Sequence, residues 1–93
     1  MKETTQESIF DRAKTVSALD AAERFAGVKG TRIGSRVKAC CPLHSEKTPS
    51  CVFYENGTFY CFGCHKGGTS IDLTMAYYRE SSLDAAKSIV PAF

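Results

Sequence analysis

Cys41-Pro42-Leu43-His44 and Cys61-Phe62-Gly63-Cys64 each carry two metal-capable side chains separated by two residues. A backbone turn between such residues aims both side chains into one site, and two such turns complete a tetrahedron. Zinc takes thiolate sulfur and imidazole nitrogen in closed four-coordinate sites. C-x2-H with C-x2-C therefore nominates Cys41, His44, Cys61 and Cys64 as ligands of one structural Zn2+ with no position open to a substrate. Cys40 offers an alternative first ligand at C-x3-H spacing, but strand alternation turns it away from Cys41, and it reads with Cys51 as a small apolar filler. A disulfide framework is disfavoured, because the five cysteines are an odd number and no apolar leader precedes them.

Outward from the first knuckle the charge is uneven. Residues 24–47 hold Arg24, Lys29, Arg32, Arg36, Lys38 and Lys47 against Glu46 alone, a local +5 within a chain whose net charge is +2. A concentrated basic run is the electrostatic footprint of a nucleic-acid partner, or else a solvated face. The 93 residues allow one domain with a modest core, which a structural metal supplements. No apolar run approaches the length of a membrane span, so a cytoplasmic protein without membrane contact is expected.

Local signals bracket the knuckles with short elements. Residues 1–16 read as a polar arm with a weak helix through Ile9, Phe10, Ala13 and Val16, and residues 17–93 as the metal-binding domain. Ser17 followed by Asp20 starts a helix over residues 18–26 that Gly27 closes. Strands are expected over 28–33 and 36–40, with Arg36 and Lys38 on one face. A hairpin over 51–54 and 58–61, turning at Glu55-Asn56-Gly57, delivers the second knuckle beside the first. Gly67-Gly68 should end that knuckle. A helix capped by Thr69 or Ser70 then places Ile71, Thr74, Met75 and Tyr78 on the sheet. A last helix starts near Ser81-Ser82 and stops at Pro91. Ser17-Ala18-Leu19-Asp20 echoes Ser81-Ser82-Leu83-Asp84, which shared helix-start chemistry explains without a repeat. The sum is an α+β zinc ribbon: a small antiparallel β-sheet with one structural zinc, flanked by N- and C-terminal α-helices.

The run from Cys41 through Pro42-Leu43-His44-Ser45-Glu46-Lys47-Thr48-Pro49-Ser50, then Tyr60-Cys61-Phe62-Gly63-Cys64-His65-Lys66-Gly67-Gly68 and Ile71-Asp72-Leu73-Thr74-Met75, resembles the CHC2 zinc-binding domain of bacterial and phage DnaG-type DNA primases. That family runs C-P-F-H-x-E-K-T-P-S-F, then Y/F-x-C-F-G-C-G-x-G-G and an I-x-F-x-M helix. Pro42 directly after Cys41 matches the family knuckle. Leu43, Cys51 and His65 depart from it, standing where the family has Phe, Phe and Gly.

The resemblance implies a module that engages single-stranded template DNA while a separate TOPRIM domain, absent from this chain, performs nucleotidyl transfer. The chain is thus not expected to be an enzyme alone. Lys47, Lys66, Arg36, Lys38 and Arg32 are the candidate phosphate contacts, with Tyr60 and Phe62 the hairpin aromatics expected to face bases. The alternative role is an adaptor that binds a replication protein, the primase polymerase domain or a replicative helicase. A redox enzyme built on Cys61 and Cys64 is disfavoured, because ligated thiolates are not free nucleophiles and no βαβ setting surrounds them.

Overall fold

A computed structural model describes residues 6–43 and 49–93, with side chains from Ile9 onward. In chain order the elements are α1 (Gln6–Lys14), α2 (Ala18–Ala26), β1 (Thr31–Ile33), β2 (Arg36–Ala39), β3 (Cys51–Phe53), β4 (Phe59–Cys61), β5 (Lys66–Gly68), α3 (Ser70–Tyr78) and α4 (Ser82–Ala92). The five strands form one antiparallel meander in the order β1-β2-β3-β4-β5. Among the described residues no helix is long and apolar enough to cross a membrane.

Opposed residues of an antiparallel ladder share a face, so register divides the sheet. On the inner face Val37 opposes Phe53 and Phe53 opposes Phe59, while Ala39 opposes Cys51 and Cys51 opposes Cys61. All six are buried, and they form one cluster with Ala18, Ala21 and Ala22 of α2 and Leu73 of α3. A second cluster joins Ala13 of α1, Ile71 of α3 and Ala85, Ala86 and Ile89 of α4. The α3 stripe expected on the sheet is therefore redirected. Ile71 and Met75 pack against α1 and α4, Tyr78 is exposed, and Leu73 is the residue that meets the sheet cluster. The physical reason is that α3 lies against α1, α2, α4 and β5 at once, so it presents apolar groups on more than one side.

Helix starts follow local chemistry. The Ser17 hydroxyl accepts from the Asp20 N–H at 3.0 Å, and Ser81 accepts from Asp84 N–H at 3.2 Å, which is the echo seen in sequence. At α3 the Asp72 carboxylate accepts from the Thr69 backbone N–H at 2.9 Å and from its hydroxyl. The buried Ser70 hydroxyl donates to the Ala13 carbonyl at 3.1 Å and ties α1 to this start. Between β3 and β4, Gly57 N–H donates to the Tyr54 carbonyl at 3.0 Å and the positive φ falls on Gly57 (93°). Its carbonyl accepts from Ala18 N–H at 2.9 Å, which locks the hairpin onto the start of α2.

Several expectations are corrected. β1 is shorter than 28–33, beginning at Thr31. Gly67-Gly68, read as the end of a knuckle, belongs to a fifth strand, Lys66–Gly68, paired with β4. Proline does not stop α4, which continues to Ala92: Pro91 lies in the last turn, where it removes one helical bond just before the chain leaves the helix. Cys51 is a buried filler, as expected, but Cys40 is exposed, because it follows inward-facing Ala39 on an alternating strand.

Candidate metal centre and nucleic-acid face

The candidate metal ligands among the described residues come from two places that the meander brings together. Cys41 leaves β2, Cys61 ends β4, and Cys64 follows in the turn to β5. Their three sulfurs lie within 4.8 Å of one another, with Cys41 Sγ and Cys64 Sγ 3.9 Å apart. Thiolates at about 2.3 Å around a tetrahedral zinc stand about 3.8 Å from each other, whereas a disulfide holds its sulfurs at about 2.05 Å. The spacing fits a shared cation. His44 and Lys47 lie outside the described residues.

Each sulfur also faces a backbone donor. Leu43 N–H donates to Cys41 Sγ at 3.4 Å, the Cys64 N–H to Cys61 and the Lys66 N–H to Cys64. The Ser50 hydroxyl lies 3.4 Å from Cys61 Sγ. Burial pushes the Cys41 and Cys64 thiols up. Burial also raises Cys61, but Ser50, the Cys64 N–H and the other two thiols outweigh it and bring Cys61 down to about 7. A trio of two buried cysteines and one half-buried, with N–H groups aimed at every sulfur and with two thiols that resist losing a proton by themselves, is suited to a cation that displaces those protons.

Sheet alternation assembles the outer face. Ile33 opposes Arg36, and Lys38, Val52, Tyr60 and Gly67 are register partners across four strands. The Arg36 guanidinium lies 5.3 Å from the Tyr54 ring centroid. Ile33, Arg36, Lys38 and Val52 line a shallow depression of about 200 Å³. Phe62 is 58 % exposed and meets Tyr60 edge-on, with centroids 4.9 Å apart. Arg36, Lys38, Tyr60 and Phe62 are thus gathered on one side. Arg32 is not among them: it opposes Val37 and lines the other side of the sheet near Asp20 and Glu55. Lys66 opposes Cys61 and is exposed at the metal end.

A family profile described as "CHC2 zinc finger" matches residues 2–93. The chain belongs to the CHC2 zinc finger family. Within this family it is similar to the DNA primase of Escherichia coli strain K12, at 47% identity over 70 residues, covering 74% of this chain and 11% of that protein. It is similar to the DNA primase of Chlamydia pneumoniae at 35% over 82 residues, covering 87% and 14%. A solved structure titled as the Aquifex aeolicus primase, zinc binding and RNA polymerase domains, matches with a TM-score of 0.74 and 25% identity over 98% of this chain and 21% of that one. The chain spans about an eighth of the length of those two curated relatives. It corresponds to a DnaG-type primase zinc-binding domain, and the α+β ribbon with flanking helices is the fold of that CHC2 domain.

Sequence reasoning marked His65 only as a departure from the family pattern and did not place it. The residue has φ 57°, the left-handed region where the family pattern carries glycine, and its Nδ1 lies 3.5 Å from the Tyr60 hydroxyl.

Proposed function

We propose that this chain is the template-engaging module of a DnaG-type primase: Cys41, His44, Cys61 and Cys64 hold one structural zinc, and the outer sheet face binds single-stranded DNA without catalysing primer synthesis alone. The observation that carries the reading is the outer face itself. Arg36 and Lys38 present positive charge on the same sheet face as the Tyr60 and Phe62 rings, the combination by which single-strand binders hold phosphates and stack bases. Lys66, exposed beside Cys61, adds positive charge at the metal end, Lys47 remains a candidate phosphate contact on the sequence alone, and Arg32, on the opposite side, contributes at most at long range. The relatives named DNA primase support the same reading. Asp72 and Asp84 are engaged at helix starts rather than gathered into a carboxylate cluster, which fits a module that leaves nucleotidyl transfer to another domain. The module acts in the cytoplasm, on replicating DNA.

Titration of zinc-loaded protein with varied single-stranded oligonucleotides at several salt concentrations tests this. Expected is weak binding whose affinity falls as salt rises, with a log-log slope of about −0.7 per phosphate neutralised. Absence of binding at low salt ends the reading. Incubation with template, nucleotides and magnesium should give no labelled product.

A second surface favours an adaptor role in addition. Phe25 meets Tyr78 at 5.7 Å and Phe93 at 6.2 Å, and Tyr78 and Phe93 remain 46 % and 54 % exposed. An aromatic patch of this kind suits a protein partner such as the primase polymerase domain or a replicative helicase. Co-purification with such a protein, lost in Tyr78→Ala but kept in Lys38→Ala, would separate this role from DNA binding.

A further inference from the structure

Tyr60 sits on the outer face with Gly67 as its register partner, and the two are in unusually close approach. A Cβ placed on Gly67 would come within 2.6 Å of the Tyr60 ring and 2.7 Å of the Phe59 carbonyl, so only glycine lets the ring lie across β5. The Phe62 ring stands at 71° to that of Tyr60, which makes an aromatic corner open to solvent on the Phe62 side. His65 closes the third side. It holds a backbone conformation that is costly for a non-glycine residue and brings its ring to the Tyr60 hydroxyl.

We infer that Tyr60, floored by Gly67 and flanked by Phe62 and His65, is a preformed stacking site for one unpaired base at the metal end of the sheet, with His65 as its positioning residue. The inference deepens the single-strand reading above and rests on it. A stacking site needs an aromatic face whose position is set before the base arrives, because ordering a free ring on binding would cost part of the gain. Three independent constraints fix Tyr60: a glycine floor, an edge-on ring and a neighbour at its hydroxyl. Lys38 lies on the same face in the same cross-strand row as Tyr60, two strands away, and Arg36 stands two residues from Lys38 along β2, so a backbone held there can lead a base to this corner.

The test uses zinc-loaded full chain and oligonucleotides carrying a single 2-aminopurine, or a single abasic position, moved along the strand. Stacking quenches 2-aminopurine, so one register should show strong quenching, and an abasic residue at that register should weaken binding roughly 5- to 100-fold. Tyr60→Leu keeps apolar bulk but removes the ring. It should abolish both the quenching and the penalty for the abasic position. His65→Gly supplies the residue that best tolerates this backbone, so it should fold and keep its zinc while quenching falls. Tyr60→Phe should lower quenching similarly, and the double variant should lose no more than either single one, because both break the same contact. If the wild type binds strands but neither quenches nor discriminates the abasic position, the stacking site is wrong and the single-strand reading stands. If it binds no strand at low salt, both fall. Quenching unchanged in His65→Gly removes the positioning role of His65.

Discussion

The Cys41 and Cys64 sulfurs, 23 residues apart in the chain, stand 3.9 Å from each other. That separation is close to one edge of a tetrahedron of zinc–thiolate bonds, and it exists because β2 and β4 flank β3 in the same sheet. Metal binding across that gap should therefore be coupled to folding of the sheet.

Removing the metal should therefore unfold the ribbon. Zinc binding in small domains contributes on the order of 10 to 16 kcal/mol of apparent free energy. Cys41→Ser should lower zinc content to well below one per chain by elemental analysis, with loss of the sheet signal in circular dichroism. Full zinc content in Cys41→Ser would remove Cys41 from the ligand set and nominate Cys40.

Zinc loading should fall on acidification. Bound metal depresses each ligand thiol far below its unfolded value of about 8.5, so the stabilisation is present above that value and is lost as pH falls and protons compete for sulfur. Burial keeps Cys41 and Cys64 protonated without metal, so binding near neutrality should release roughly two protons or more. Calorimetry in buffers of different ionisation enthalpy counts them. A release near zero is incompatible with thiolate ligands.

The two basic faces should behave differently toward DNA. Arg36→Ala and Lys38→Ala should each weaken single-strand binding and flatten the salt slope by about 0.7, while Arg32→Ala and Lys87→Ala should leave the slope unchanged. An Arg32→Ala effect as large as that of Lys38→Ala would mean that the strand crosses the sheet edge rather than its outer face.

The helical cluster can be tested apart from the metal. Ile89 is fully buried among α1, α3 and α4, so Ile89→Ala should cost about 2 to 5 kcal/mol in denaturant unfolding. The zinc content of the folded protein should stay the same, because no ligand lies in that cluster. Loss of zinc at native conditions would show that the two clusters fold as a single unit with no reserve.

Features that depend on neighbours in sequence were legible from the residues alone. Ser17 and Ser81 cap their helices, Gly57 supplies the turn, and the knuckles carry the C-x2-H and C-x2-C spacing, because caps, turns and chelating loops are closed by groups a few residues apart. Alternation likewise marked Arg36 and Lys38 as one face. What remained for the tertiary structure was everything set by pairing at a distance. Lys66–Gly68 has little strand propensity of its own and becomes β5 because β4 offers it an unpaired edge. Arg32 and Arg36, four residues apart with a turn between them, fall on opposite sides because register, not spacing, assigns a face. The redirected side of α3 and the Tyr60 ring over Gly67 have the same origin: each is chosen by what packs against it, and those partners arrive from elsewhere in the chain.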